Sequence, residues 1–87
     1  MTKRQVINEI AGILKTTGQE LCVTNFPGLR QPGRGFHAYC IRYDETAGTV
    51  LVYPWSGAKD GWEIPEKRVP KYDLTVLLDI VRFAGHF

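Results

Sequence analysis

The 87-residue length suffices for a single domain, 1–87, and leaves no room for a second hydrophobic core. Hydrophobic residues make up 44% of the chain and charged residues 23%, a balance that excludes an intrinsically disordered protein. The formal net charge of +2, with both signs interleaved, is too small to indicate a polyanionic partner by itself.

The chain start and the cysteines favour a cytoplasmic protein. The first ten residues, MTKRQVINEI, lack the apolar stretch of a signal peptide, and the apolar run 74–84 is too short to span a bilayer. We therefore expect a cytoplasmic protein with no membrane partner. In that compartment Cys22 and Cys40 are expected to stay reduced and to lie on strands as small buried hydrophobic residues.

Residues 3–17 have the pattern of an amphipathic helix. Apolar side chains recur at helical spacing at Val6, Ile7, Ile10, Ile13 and Leu14. Thr2 and Gln5 fit a capping box at the start, and Gly18 suits the end of the helix.

Extended segments follow this helix. Strand patterns are found at 20–26, 36–43 and 49–55, with a short fourth near 62–64. The five residues DETAG between the second and third strands predict a hairpin loop, with Gly48 at a positive φ.

The last segment, 73–84, predicts a second helix with Asp73 as its N-cap. The element order is then α-β-β-β-(β)-α. This order predicts an α+β fold, in which an antiparallel meander of three to four strands carries the two terminal helices.

The predicted hairpin leaves apolar side chains on both faces of the sheet. A five-residue loop sets Tyr43 opposite Thr49 and gathers the large aromatic side chains on one face, as core or as an open binding platform. The other face then carries Val50 and Val52 beside Ala38 and Cys40. A sheet with one solvent-exposed face has a polar pattern there, so this second face needs a cover.

The last helix also has a surplus of apolar residues. Its polar positions form one narrow stripe, and most of its circumference is apolar. A second copy of the chain is the simplest cover, so we expect a homodimer, with Val76, Ile80, Phe83, Val50 and Val52 at the interface. The alternative is a monomer in which the predicted register is wrong by one residue.

A basic glycine-rich loop, GLRQPGRG at 28–35, precedes the second strand. Its arginines and the neighbouring rings suit phosphate contact and base stacking, and the candidate residues are Arg30, Arg34, Phe36, His37 and Trp55. This gives an alternative function, the binding of nucleic acid or another anionic ligand. The Pro-Gly pairs in the loop are also explained by turn chemistry alone.

Residues that carry catalysis or bind metals are sparse. His37 and Cys40 lie three apart on one strand and therefore point to opposite faces. Ser56 lies in no nucleophile elbow. We expect no catalytic residue, no metal and no cofactor. A small enzyme with a pocket at the dimer interface, around His37 or the cysteines, is the remaining alternative.

The sequence therefore predicts a small binding or interaction protein that works as a homo-oligomer without catalysis. Its expected partner is a second copy of itself, with another protein as the alternative.

Overall fold

The computed structural model describes residues 1–24, 38–54 and 61–84. Its elements in chain order are α1 (Lys3–Thr17), β1 (Glu20–Thr24), β2 (Ala38–Asp44), β3 (Thr49–Pro54), β4 (Trp62–Glu63) and α2 (Lys71–Ala84). The strands form one antiparallel sheet in the order β1-β2-β3-β4. The predicted α+β fold, a meander with two terminal helices, is confirmed.

The ends of α1 confirm the predicted capping. Thr2 Oγ1 accepts a 3.2 Å hydrogen bond from the Gln5 amide, and Gln5 Oε1 accepts one of 2.7 Å from the Thr2 amide. At the other end Gly18 adopts φ 67°, and its amide donates to the Leu14 carbonyl at 2.9 Å. A left-handed residue of this kind favours glycine because it has no Cβ.

Helix α2 begins earlier than predicted. Lys71 is its first residue, and the Pro70 carbonyl accepts a 3.2 Å hydrogen bond from the Leu74 amide. The predicted N-cap role of Asp73 is therefore wrong. Asp73 lies inside the first turn, where its carboxylate faces the positive end of the helix dipole.

The two helices start at the same end of the molecule and finish at the same end. Near the start, Lys3 Nζ donates to the Glu66 carbonyl at 3.1 Å. Near the finish, Gln19 Nε2 donates to the Ala84 carbonyl at 3.1 Å. Within the described ranges, neither helix combines the length and the apolar character needed to cross a membrane.

The core lies between this helix pair and one face of the sheet. Its sheet side is formed by Tyr39, Ile41, Val50 and Val52, all at most 1% exposed. Its helix side is formed by Val6, Ile7, Ile10, Leu14, Leu74, Leu77, Leu78 and Val81. Tyr39 meets Trp62 edge to face with ring centroids 5.6 Å apart, so these two rings belong to the core side and not to an open platform.

The hairpin between β2 and β3 is one residue tighter than predicted. Asp44 pairs with Thr49, so the loop holds four residues, 45–48. The Asp44 carbonyl accepts from the Gly48 amide at 2.8 Å, and Asp44 Oδ1 accepts from the Ala47 amide at 2.9 Å. Gly48 has the predicted positive φ, 70°. Asp44 is thus both the last strand residue and the anchor of the turn.

This one-residue difference in loop length reverses which side chains of β3 face the core. Val50 and Val52 point into the core at 1% and 0% exposure, so their predicted place on a second apolar face was wrong. Leu51 and Tyr53 take the opposite face instead. The expectation that Val50 and Val52 form an oligomer interface thereby loses its basis.

Candidate functional site

The predicted ligand-binding residues lie outside the described part of the chain. They are Arg30, Arg34, Phe36, His37 and Trp55. Nucleic-acid or anionic-ligand binding through the 28–35 loop therefore stays a prediction.

The predicted interface residues of the last helix, Val76, Ile80 and Phe83, lie with Tyr72 on one outward-facing strip of α2, and these four residues are here called the α2 stripe. At about 100° of rotation per residue the four positions span an arc of about 80°. Tyr72 is 77% exposed, Phe83 70% and Ile80 41%, while Val76 is half-buried. The buried residues of α2 lie on the other side of the helix.

Charged and polar residues border the α2 stripe along one flank. Arg82 binds Glu9 of α1 with a 2.6 Å contact and approaches Asp79 at 4.0 Å. Thr75 donates its hydroxyl to the Lys71 carbonyl at 3.0 Å. An exposed apolar strip with a polar rim is typical of a protein interaction surface.

The second surface is the outer face of the sheet, on the side away from the helices. One row across it runs Glu20, Arg42, Leu51 and Glu63, in which each residue is paired with the next. Glu20, Arg42 and Glu63 are exposed. This face therefore has the polar character that the predicted register had removed.

A stacked cluster occupies the middle of the outer face. The guanidinium carbon of Arg42 lies 4.2 Å from the centroid of the Tyr53 ring, and the Tyr53 hydroxyl donates to Asp44 Oδ2 at 2.8 Å. Hydrogen bonding with Tyr53 raises the pKa of Arg42 above its usual value. The Ala47 amide and then the Tyr53 hydroxyl lower the pKa of Asp44.

Gly61, the residue before β4, lies against the Tyr53 ring of this cluster. A Cβ on Gly61 would lie 2.6 Å from Cε1 and Cζ of Tyr53, far inside van der Waals contact. Glycine is therefore required by the close approach of the ring, and the ring itself is only 7% exposed. The arrangement fixes Tyr53 in place and leaves its hydroxyl committed to Asp44.

The two cysteines are cross-strand partners on the same outer face. Cys22 of β1 pairs directly with Cys40 of β2, both as free thiols. Cys40 is buried as expected, at 4% exposure, but Cys22 is exposed, which corrects the expectation for it. Burial, followed by hydrogen bonds with Cys22 and Glu20, raises the pKa of Cys40 to about 12.

The threonine hydroxyls in a groove along α1 are not arranged for catalysis. A groove of about 430 Å³ runs along α1 and is lined by Glu9, Gly12, Ile13, Thr16 and Thr17. Both threonine hydroxyls donate to helix carbonyls, Thr16 to Gly12 at 2.8 Å and Thr17 to Ile13 at 2.9 Å. Neither is set against a base, which a hydroxyl nucleophile requires. Among the residues described, no three His, Cys, Asp or Glu side chains converge as metal ligands.

Comparison of the chain with protein-family models, with curated proteins and with solved structures gives no match. Function is therefore inferred from the α2 stripe and the outer sheet face.

Correct strand pairing was the signal needed to find the cysteine pair. The length of the segment between β1 and β2 hides that pairing from sequence patterns.

Proposed function

We propose that this chain is a non-enzymatic binding protein that works as a homodimer, joined through the α2 stripe. The observation that carries the proposal is the exposure of Tyr72, Ile80 and Phe83 on one side of a helix whose other side is fully buried. Apolar side chains of this size gain free energy when a partner removes them from water.

The order of residues along the α2 stripe favours a second copy of the chain as that partner. Aromatic side chains, Tyr72 and Phe83, stand at its two ends, and aliphatic ones, Val76 and Ile80, stand in the middle. A twofold axis between positions 76 and 80 makes two such helices antiparallel. Each Val76 then meets Ile80 of the second copy, and each Tyr72 meets Phe83 of the second copy, as a self-complementary interface requires.

The size of the α2 stripe sets the strength of the proposed dimer. A fully exposed aromatic side chain offers about 200 Å², so the stripe supplies about 350 Å² per protomer. A standard stable interface takes about 800 Å² per partner. We therefore expect a weak dimer with a dissociation constant in the micromolar range, about 1–100 µM.

Dimerisation through α2 leaves the exposed charged residues of the outer sheet face, Glu20, Arg42 and Glu63, accessible on each protomer. The outer sheet face, with Arg42 and Glu63, lies on the far side of the molecule from the helices. A dimer would therefore present this face twice to a further partner. The binding role proposed here is assigned to that pair of faces.

The proposal is tested by comparing two variants of α2 that add the same charge. Ile80→Glu places a carboxylate in the α2 stripe, and Thr75→Glu places one on the exposed polar flank of the same helix. We expect the wild type and Thr75→Glu to show the same concentration-dependent mass by light scattering, and Ile80→Glu to remain a monomer. Far-ultraviolet circular dichroism checks that all three are folded.

Two outcomes would contradict the proposed dimer. One is a wild-type chain that stays monomeric at every concentration. The other is a dimer that Ile80→Glu and Thr75→Glu weaken equally, because the interface would then not lie on the α2 stripe.

A further inference from the structure

The β1–β2 pairing places two thiols side by side. Cys22 and Cys40 are directly opposite residues of an antiparallel pair and therefore share a face. Opposite residues in such a pair have Cα atoms about 4.5–5.5 Å apart. This separation lies within the range of about 4.4–6.8 Å that a disulfide bond spans.

The two thiols differ in access to solvent. Cys22 is exposed on β1, whereas Cys40 is 4% exposed. A reagent in solution can therefore reach the first thiol and not the second. Such an exposed thiol next to a resolving thiol is the arrangement that thiol–disulfide exchange needs.

We propose that Cys22 and Cys40 form a dithiol site that a small-molecule disulfide, such as oxidised glutathione, converts into an intrachain disulfide bond. The site lies on the outer face of the sheet, away from the α2 stripe, and does not depend on the proposed dimer.

The oxidation proceeds in two exchange steps. The Cys22 thiolate attacks one sulfur of the small disulfide, forming a mixed disulfide and releasing one thiolate. Cys40 then loses its proton, attacks Sγ of Cys22 and releases the second thiolate. In sum the two cysteines lose two electrons and two protons, and the small disulfide gains them to become two thiols.

The surroundings of Cys40 assign the order of these steps. Cys40 is buried, and the burial both shields it from reagents in solution and raises its pKa, so the exposed Cys22 reacts first. Once Cys22 is in a mixed disulfide, attack by the adjacent Cys40 is intramolecular and needs no access from solvent. The thiolate that leaves takes up the proton that Cys40 loses.

The bond would clamp the segment between the two cysteines. This segment, 23–39, contains the basic loop residues Arg30 and Arg34. The two ends of the segment already pair across the strands, Val23 with Tyr39 and Thr24 with Ala38, so the bond adds a covalent link to an existing pairing.

The test is equilibration of the protein in buffers of reduced and oxidised glutathione, with the products measured by intact mass. We expect the folded chain to lose the mass of two hydrogens. We also expect the equilibrium constant for this bond to be at least about tenfold higher in the folded chain than in guanidinium chloride, because the strands hold the thiols together. An equal or lower constant in the folded chain overturns the proposal.

Three variants complete the test. Cys40→Ser should accumulate a glutathione adduct on Cys22, and Cys22→Ser should acquire none while folded. The matched control is Glu20→Cys in the Cys22→Ser background, which moves the exposed thiol on the same face one pair out of register. The equilibrium constant for its intrachain bond should be at least about tenfold lower than that of the wild type. Equal bond formation in this control would show that the direct pairing does not matter.

Discussion

Tyr53 donates a 2.8 Å hydrogen bond to Asp44, nine residues away on the other strand of the β2–β3 hairpin. Asp44 also accepts from the Ala47 amide, so a single carboxylate joins the turn to the ring on the outer sheet face. These contacts define the register that places Val50 and Val52 in the core.

The carboxylate of Asp44 should make stability depend on pH. Its pKa is lowered below the ordinary 3.8, so its contribution is complete above that value and is lost as the pH falls through the lower folded pKa. We expect Asp44→Asn to be less stable than wild type at neutral pH. The difference should narrow as the pH falls below about 4, as measured by chemical denaturation.

Tyr53→Phe is the companion variant for this measurement. It keeps the carboxylate and removes one donor, so it should show part of the same narrowing. A difference between wild type and Asp44→Asn that stays constant from neutral to acid pH would contradict the role given to Asp44.

Gly61 should not tolerate a side chain. Because a Cβ there would lie 2.6 Å from the Tyr53 ring, we expect Gly61→Ala to lower the free energy of unfolding by about 1–3 kcal/mol. Gly12→Ala is the control, since no atom lies within 4 Å of its Cβ position on α1. It should stabilise the protein by up to about 1 kcal/mol.

A double-mutant cycle attributes the Gly61 effect to the ring. In a Tyr53→Ala background the added cost of Gly61→Ala should disappear. If the cost persists without the ring, the close approach to Tyr53 is not its cause.

The oxidised protein should be more stable than the reduced protein. A bond between Cys22 and Cys40 closes the 23–39 segment, and a loop of this length gives about 3 kcal/mol through the entropy of the unfolded chain. Guanidinium chloride denaturation with and without a reductant measures the difference. Cys22→Ser should show no effect of the reductant, and a wild type equally stable in both states would mean that the bond strains the sheet.

The antiparallel arrangement of the proposed dimer predicts a specific crosslinking pattern. In a Cys22→Ser, Cys40→Ala background, a chain carrying Tyr72→Cys should crosslink to a chain carrying Phe83→Cys. Each chain alone should crosslink far less, because the twofold axis keeps position 72 away from its own copy. Preferential crosslinking of each position to itself would indicate parallel helices.

Much of the fold follows from short-range patterns. The capping box at Thr2 and Gln5, the Gly18 cap and the order of the elements were predicted because each depends on residues a few positions apart. The outward position of Ile80 and Phe83 follows from the helical period alone. Tyr72 was missed because the predicted helix began after it.

The wrong predictions for the sheet faces share one cause, a hairpin loop that is one residue shorter than predicted. Asp44 closes the hairpin as a strand residue, and no pattern distinguishes this from a five-residue loop. That single position exchanged the faces of Val52 and Tyr53 and created a surplus of apolar sheet surface that the structure does not have. The α2 stripe does not depend on the sheet register, so this part of the predicted surplus remains.

Sedimentation equilibrium of the wild-type chain tests the proposed dimer most directly. Across a dilution series from about 500 µM to about 0.1 µM, we expect the average mass to fall from near two chains to near one, as a weak interface requires. A mass of one chain at every concentration would contradict the assignment of the α2 stripe as a self-association surface.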